Sequence, residues 1–295
     1  MNCFIIILAA ALWGTTGLFS SYFAEIYNLT TLQIGSVRII STTILLAIWL
    51  LIFNKSSFKI KIKDAWVFVG TGILSVTFFT LCYFEAIKLN GVAVAAVLLY
   101  TAPVFVALLS VFVFKTKLTF KTIISIFLAV LGCFFVSGIT QSGSSVISVK
   151  GIFVGLGAGF GYALYSIFAK IATKKGYESL TITFYTFLFS SAFLTPFLSF
   201  KNLIEKADTD FCIALLIKIA VFGLITGVLP YVFYTKGLKS VSPPIASVTS
   251  TVEPVVATLL GVFVLQEKLS FIAIMGIVLI FSSLIVGSLN TKKVE

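Results

Sequence analysis

The sequence contains no histidine, and charged residues are scarce: 21 basic and 10 acidic residues occur among 295. Without histidine, the chain lacks the commonest general base and metal ligand of proteins. Charged residues make up 11% of the chain, whereas soluble domains are roughly a quarter charged. The four cysteines are not spaced like metal ligands. The composition therefore argues against a soluble protein, and no metal site or cofactor is expected.

Hydrophobic residues are abundant, at 59% of the sequence with a mean hydropathy of +1.15. Apolar runs of about 20 residues, the length of a membrane-crossing helix, follow one another along the chain. We predict an all-α integral membrane protein with ten transmembrane helices and no sizeable soluble domain. The helices are expected at residues 3–24, 32–53, 65–87, 91–114, 121–139, 151–172, 179–199, 218–238, 241–265 and 269–289.

The net charge of +11 arises from lysines that lie mainly in alternate loops between the predicted helices. With the N-terminus inside the cell, fourteen lysines fall in cytoplasmic segments and six fall outside them. This bias follows the positive-inside rule. We therefore predict a multi-pass protein of the plasma or inner membrane with both termini in the cytoplasm. The charge sets topology, so no nucleic-acid partner is expected.

The chain also repeats itself. Residues 98–120 align without a gap to residues 249–271 at a constant offset of 151, which places Pro103 on Pro254. The fourth predicted helix is thus equivalent to the ninth, and each half holds five helices. Because five is odd, equivalent helices of the two halves cross the membrane in opposite senses.

This pattern predicts two inverted five-helix repeats, residues 1–140 and 148–290, within a single transmembrane domain spanning 1–295. Two halves related by a pseudo-two-fold axis in the membrane plane have two nearly equivalent states, each open to one side. An enzyme or a receptor has no comparable need for this symmetry. The repeat therefore favours a transporter that works by alternating access.

Glu253 lies in the stretch ASVTSTVEPVVATLL (246–260), with thirteen uncharged residues on each side. In a continuous helix, Thr249 and Ala257 would lie beside it, so we expect Glu253 to face protein or water. The bulky residues Val248, Val255, Leu259 and Val262 would occupy the opposite face, towards lipid or hydrophobic neighbours. Two roles stay open: Glu253 exchanges a proton or binds a substrate ammonium group, or it is a structural acid bonded to neighbouring helices.

Two prolines occupy matching positions of the halves. Pro254 and Pro103 each lack a backbone N–H, so the carbonyls of Ser250 and Leu99 lose their helical partners and each helix bends. A single transmembrane proline is often a static kink. The matched pair favours symmetric hinges near the midplane.

Arg38 is the only arginine, about a third of the way through the second predicted helix. A guanidinium in a membrane needs an acidic partner, carbonyls or water. We favour structural pairing with Glu85 or Glu253, or a side chain that reaches towards the outer surface. The alternative is that Arg38 holds a substrate carboxylate.

Several aromatic residues lie too deep for a membrane-interface belt, and a buried tyrosine needs a partner for its hydroxyl. A polar central cavity would supply one. The candidate residues for substrate binding or coupling are Glu253, Trp13, Tyr83, Tyr100, Tyr162, Tyr165, Tyr231, Thr249 and Arg38.

The segments ALWGTTGLF (11–19), GYALYSIFAK (161–170) and VEPVVATLLGVFVLQEKLS (252–270) resemble the EamA family of the drug/metabolite transporter superfamily. The resemblance covers essentially the whole chain. One departure is Thr116, where the family usually has an acidic residue before the Lys-Leu pair. The resemblance implies a ten-helix exporter fold, and members of this type include amino-acid and drug exporters.

We therefore expect a secondary active exporter of small organic metabolites with a central cavity. Amino acids are the best specific substrate, because aromatic residues with one acid and one base suit a zwitterion. Proton coupling, a small-molecule substrate and contact with membrane lipid are expected, and the chain is a monomer or a homodimer. The alternative is an exporter of drugs or cationic amphiphiles, which needs no Arg38. An intramembrane enzyme or receptor is disfavoured.

Overall fold

A computed structural model describes residues 2–137, 148–197, 209–266 and 268–288. The regular elements of these residues are all helical, with short 3₁₀ and π-helical turns between the α-helices. The α-helices are α1 Asn2–Gly14, α2 Thr16–Tyr27, α3 Thr31–Phe53, α4 Ala65–Val69, α5 Phe78–Leu99, α6 Ala102–Phe114, α7 Phe120–Val136, α8 Val149–Lys174, α9 Ser179–Leu194, α10 Thr209–Gly223, α11 Leu229–Leu238, α12 Pro243–Thr249, α13 Val252–Val264 and α14 Phe271–Ser288.

Within the described residues, six helical segments are long and apolar enough to cross a membrane, which confirms the prediction of an all-helical membrane protein. They are Cys3–Tyr27, Thr31–Phe53, Ile62–Leu99, Val149–Lys174, Ile213–Leu238 and Pro243–Val264. Four shorter apolar helices are Ala102–Phe114, Phe120–Val136, Ser179–Leu194 and Phe271–Gly287. The number of crossings, ten, stays a prediction. The predicted repeat ends at 140 and 290 lie outside the described residues.

The longest segment, Ile62–Leu99, is divided at Gly91. This glycine has φ 79° and ψ 167°, a non-helical backbone conformation that residues with a Cβ rarely adopt. A straight helix of 38 residues would be about 57 Å long, nearly twice the thickness of the hydrocarbon core. The turn at Gly91 coincides with the boundary that the sequence predicts between its third and fourth helices.

Both prolines that match in the repeat lie in the first turn of a new helix. The chain breaks between α5 and α6 just before Pro103, and between α12 and α13 just before Pro254. The first turn of a helix tolerates proline because its N–H has no helical acceptor there. The kinks predicted from the sequence are thus two-residue turns, Tyr100–Thr101 and Ser250–Thr251, whose backbone stays in or near the right-handed helical region. The Ser250 carbonyl, predicted to be free, accepts the N–H of Glu253 at 3.0 Å in a tighter turn.

Helix pairs in the bundle approach closely where glycines face the neighbouring backbone. α5 packs along α8, α1 along α11, and α7 along α14. At the α7–α14 crossing, a Cβ on Gly132 would lie 2.8 Å from the carbonyl oxygen of Gly276. Gly276 meets the carbonyl oxygen of Gly132 in the same way. Small residues permit such close packing of membrane helices.

At one end of the bundle, the turn before α4 is joined to the turn between α8 and α9. Asp64 accepts hydrogen bonds from Lys175 Nζ at 2.7 Å and from Tyr177 Oη at 2.8 Å. The Tyr177 hydroxyl also accepts the backbone N–H of Lys61 at 3.1 Å. The hydrogen bonds from Lys175 and Tyr177 hold the pKa of Asp64 below its ordinary value.

Replacing Gly132 by alanine should destabilise the folded protein by about 1–3 kcal/mol, because the added methyl overpacks the α7–α14 crossing. Thermal unfolding of the detergent-solubilised protein measures the effect. The matched control is Gly17→Ala, since a Cβ at Gly17 meets no atom within 4 Å. Equal unfolding temperatures for the two variants would contradict the close-packing account.

Replacing Asp64 by asparagine should lower the unfolding temperature at pH 7, because the ion pair with Lys175 is lost. The pKa of Asp64 is lower in the folded than in the unfolded chain. Its stabilisation is therefore present above the unfolded pKa of about 3.9 and is lost as the pH falls through the folded pKa. The difference between wild type and variant should shrink as the pH is lowered to about 3.

The control for this variant is Glu85→Gln. Glu85 is 39% exposed and lies 3.8 Å from Lys150, so its ion pair should contribute little. A deficit in Asp64→Asn that is the same at pH 7 and at low pH would show that the carboxylate charge is not the cause.

Candidate functional site

Trp13 of α1 lies at the centre of an aromatic cluster that joins α1, α8 and α11. Its ring centroid lies 5.1 Å from that of Tyr231, 5.4 Å from Tyr234 and 6.1 Å from Tyr162. The ring centroids of Tyr165 and Tyr231 lie 4.9 Å apart. Trp13, Tyr165, Tyr231 and Tyr234 are all at most 6% exposed. These rings form part of the main buried core of the bundle.

Two tyrosine hydroxyl groups of the cluster are paired across helices. The Tyr165 hydroxyl hydrogen-bonds to the Thr235 hydroxyl at 2.7 Å, and the Tyr234 hydroxyl bonds to that of Ser166 at 2.7 Å. The predicted need of these tyrosines for polar partners is therefore met by α8 and α11 themselves. A cavity is not required to satisfy them.

A small cavity of about 10 Å³ nonetheless lies beside these rings. We call it the aromatic cavity. Residues of α1, α5, α8, α11 and the π-helical turn before α5 line it: Trp13, Ser75, Val76, Phe79, Tyr162, Tyr165, Ser166, Tyr231 and Tyr234. Its volume is about that of one water-sized probe, so the centre of the bundle is closely packed.

A second cavity of about 10 Å³ contains Glu253 in its wall, and we call it the carboxylate cavity. The two helix breaks meet here. The α5–α6 break contributes Leu99, Tyr100, Ala102 and Pro103, the α12–α13 break contributes Ser247, Ser250, Thr251 and Glu253, and α8 contributes Tyr162. Tyr162 lines both cavities, so the aromatic cavity and the carboxylate cavity lie next to each other.

The backbone of α1 comes close to Glu253. A Cβ on Gly14 would lie 2.8 Å from the Glu253 carbonyl oxygen, so only glycine permits this approach without rearrangement. Because Gly14 directly follows Trp13, the same contact brings the aromatic cluster next to the α12–α13 break. This close approach explains how residues distant in sequence form one site.

The hydroxyl groups around Glu253 differ in their bonding. Those of Ser250 and Thr251 donate to the carbonyls of Ser247 and Val248, each at 2.7 Å. The Ser247 hydroxyl is buried and has no hydrogen-bond partner among the described residues. The carboxylate cavity thus has a polar group free to interact with a ligand.

Glu253 is partly buried and faces the protein interior, as the sequence predicts. No lysine or arginine nitrogen of the described residues lies within 4 Å of its carboxylate, so it has no ion pair there. The ionisable side chains that interact electrostatically with it are Tyr83, Tyr100, Cys133, Tyr162, Tyr231 and Arg38. Five of the predicted site residues therefore interact with this carboxylate, and two of them, Tyr100 and Tyr162, line the carboxylate cavity with it.

Arg38 lies on α3, and the ion pair predicted for it is absent from the described residues. Glu85, one predicted partner, lies 3.8 Å from Lys150 instead. The Nε of Arg38 is buried and makes no hydrogen bond within the described part of the chain. The guanidinium interacts electrostatically with Tyr231 and Glu253 across a gap longer than an ion pair.

Thr249 does not join the carboxylate cavity. Its hydroxyl donates to the Ile245 carbonyl at 2.8 Å, and it lines a separate, mostly apolar cavity between α1, α12 and α14. Val248 and Val255, which the sequence assigns to the face opposite Glu253, are buried among hydrophobic neighbours, one of the two environments expected for them. Ala257, expected beside Glu253, is exposed. The cause is the break between α12 and α13, which interrupts the helical register on which those assignments depend.

Sequence reasoning missed Ser75, Phe79 and Ser247 as lining residues. Phe79 is one of 31 phenylalanines, which composition alone assigns to packing. The small and hydroxylated residues around Ser75 and Ser247, in GTGILSVT (70–77) and ASVTST (246–251), were the available signal. Each stretch lies at a helix irregularity, where a π-turn or a break replaces regular helix.

The chain matches the EamA-like transporter family twice, over residues 1–138 and again over residues 149–289. The chain belongs to the EamA-like transporter family. This result confirms the resemblance seen in the sequence and identifies a membrane transporter.

Relatives of this EamA-like protein agree with the assignment. It is 30% identical to the uncharacterized transporter YwfM of Bacillus subtilis (strain 168), over 98% of this chain and 94% of the relative. It is 23% identical to the uncharacterized inner membrane transporter YicL of Salmonella typhimurium, over 98% and 95%. A solved crystal structure shares its fold, with a TM-score of 0.79 and 18% identity over 100% of this chain and 98% of that one.

Proposed function

We propose that this EamA-like protein is a secondary active transporter that exports small organic metabolites by alternating access. The observation that carries the proposal is the meeting of two helix breaks at the carboxylate cavity, directly beside the aromatic cavity. Discontinuous helices with a substrate site between the repeats are a recurring design of secondary transporters.

We further propose ten crossings in two inverted repeats. Support comes from the family description, which matches each half separately. The packing also repeats: α5 lies along α8 as α11 lies along α1, and α6 contacts α8 as α13 contacts α1. The π-helical turns Gly70–Thr77 and Leu224–Val228 end 151 positions apart and pack against α9 and α3, respectively. Exchanging the halves leaves these contacts unchanged, as a pseudo-two-fold axis requires.

The closely packed centre of the bundle supports alternating access. Both cavities have a volume of about 10 Å³, far smaller than an amino acid. A substrate can reach Glu253 only if helices separate on one side. The breaks next to Pro103 and Pro254 are the places where α6 and α13 can move relative to the preceding helices with little loss of backbone hydrogen bonding.

Amino acids are the substrates that we propose first. Glu253 suits an ammonium group, and the rings of Trp13 and Tyr231 suit an apolar or aromatic side chain. Drugs or cationic amphiphiles are the second candidate, since they need the same rings and the same acid. The inner-membrane location in the name of a relative and the lysine distribution support a cell-membrane protein with cytoplasmic termini.

The test is uptake of radiolabelled phenylalanine, leucine and glutamate into proteoliposomes that contain the purified protein. Protein-free liposomes give the background. We expect saturable uptake of at least one amino acid that unlabelled substrate inhibits. If no amino acid is taken up but a quaternary-ammonium dye is, the second candidate is correct. Absence of flux with both classes would refute transport of these substrates.

Glu253→Gln should abolish uptake driven by a pH gradient and leave the protein folded. Glutamine keeps the size of the side chain but exchanges no proton. The matched control is Glu85→Gln, the same change at an exposed carboxylate near Lys150. Proton coupling through Glu253 is wrong if its variant retains wild-type rate and pH dependence.

Pro254→Ala should slow turnover by about tenfold with little change in the apparent substrate affinity. Alanine restores a backbone N–H and lets α12 and α13 join into a stiffer helix across the break. Initial rates and half-saturation concentrations separate these two effects. Equal turnover in wild type and variant would reduce the proline to a static feature of the fold.

A further inference from the structure

Arg38 has no ion pair among the described residues. Its Nε is buried and makes no hydrogen bond, and none of its nitrogens lies within 4 Å of a carboxylate oxygen in the described part of the chain. Glu85, which might have neutralised it, lies beside Lys150. Charged side chains inside membrane proteins are costly and normally pair with one another or face a polar pathway. An anion that binds transiently would explain why this one has no permanent partner.

The opposite charge at the centre is Glu253, and it too has no ion pair among the described residues. Arg38 and Glu253 interact electrostatically, and Tyr231 interacts with both. Their charged groups are nevertheless more than 4 Å apart. A zwitterion bound between them would supply the partner that each of these two charges lacks.

The backbone around Arg38 is firmly held. The hydroxyls of Ser41 and Thr42 donate to its carbonyl at 3.0 and 2.7 Å. The Thr42 hydroxyl also lies 3.3 Å from the Gly223 carbonyl of α10. One turn before Arg38, Gly35 packs directly against the Phe84 ring of α5. These contacts fix α3 against α5 and α10, and α10 continues through the π-helical turn Leu224–Val228 into α11, which carries Tyr231.

We propose that Arg38 binds the carboxylate of the substrate and selects zwitterions over amines that lack a carboxylate. This inference rests on the proposed transport function and narrows its substrate class. Arginine suits the role because its planar guanidinium forms two parallel hydrogen bonds with a carboxylate. Glu253 binds the ammonium group of the same molecule, and the side chain of that molecule lies against the Trp13 cluster.

The test compares phenylalanine with phenethylamine, which keeps the ring and the ammonium group but lacks the carboxylate. Isothermal titration of the purified protein in detergent measures both dissociation constants without any need for flux. Wild type should bind phenylalanine at least about tenfold more tightly, the value of one charge-assisted hydrogen bond or more. Arg38→Gln should remove this preference by weakening phenylalanine and leaving phenethylamine unchanged.

Two further variants separate recognition from folding. Arg38→Lys keeps the charge and should recover part of the preference for phenylalanine. Glu253→Gln should weaken both ligands to a similar extent, because both carry the ammonium group. Retained phenethylamine binding in Arg38→Gln shows that the site is intact.

Equal binding of both ligands by wild type, or a preference that survives in Arg38→Gln, would overturn the proposal while transport measured in proteoliposomes still stands. Loss of both ligands in Arg38→Gln and Arg38→Lys would also overturn it, since Arg38 would then be a structural residue. If the wild-type protein bound neither ligand, the proposal of a zwitterion site would be wrong.

Discussion

The constraint on which the structure depends is that backbone polar groups in a membrane must be satisfied within the protein. A continuous helix does this by itself, whereas a broken helix leaves N–H and C=O groups to be bonded elsewhere. Both proline-linked breaks therefore lie inside the bundle, where they meet at one cavity. Hydroxyls of Ser250 and Thr251 satisfy carbonyls at one of them. Because the backbone groups freed at these breaks need polar partners, the breaks create a polar site in an apolar protein.

Close helix approach determines what surrounds that polar site. Gly14 lets α1 touch the backbone at Glu253, and so brings Trp13 beside the break. The aromatic rings then exclude water from one side, while the hydroxyl pairs Tyr165–Thr235 and Ser166–Tyr234 hold α8 and α11 together. A carboxylate in such surroundings interacts strongly with any cation, because little water screens it. The same few contacts therefore determine both the packing of these helices and the environment of the Glu253 carboxylate.

Much of this architecture could be predicted from the sequence. Run length and hydropathy identify the helices, and the offset of 151 identifies the equivalence of Pro103 and Pro254. Deep aromatic residues and Glu253 indicate the site because polar groups in a membrane face the protein interior. The faces of α12 and α13 could not be predicted, since a helical wheel assumes an unbroken register. For that reason Thr249 lies in a cavity separate from that of Glu253, and Ala257 is exposed.

The ion-pair partners of Arg38 and Glu85 could not be predicted from the sequence either. Arg38 and Glu85 lie on neighbouring predicted helices, yet Glu85 is 3.8 Å from Lys150 of α8, which is remote in sequence. Which charge finds a partner depends on how α5 and α8 are paired, and helical patterns do not encode that pairing. The same uncertainty applies to the centre of the bundle, where Arg38 has no acidic partner and Glu253 has no basic partner among the described residues. The interior thus holds one partly buried cation and one partly buried anion that are not in contact, an arrangement that no helical pattern predicts.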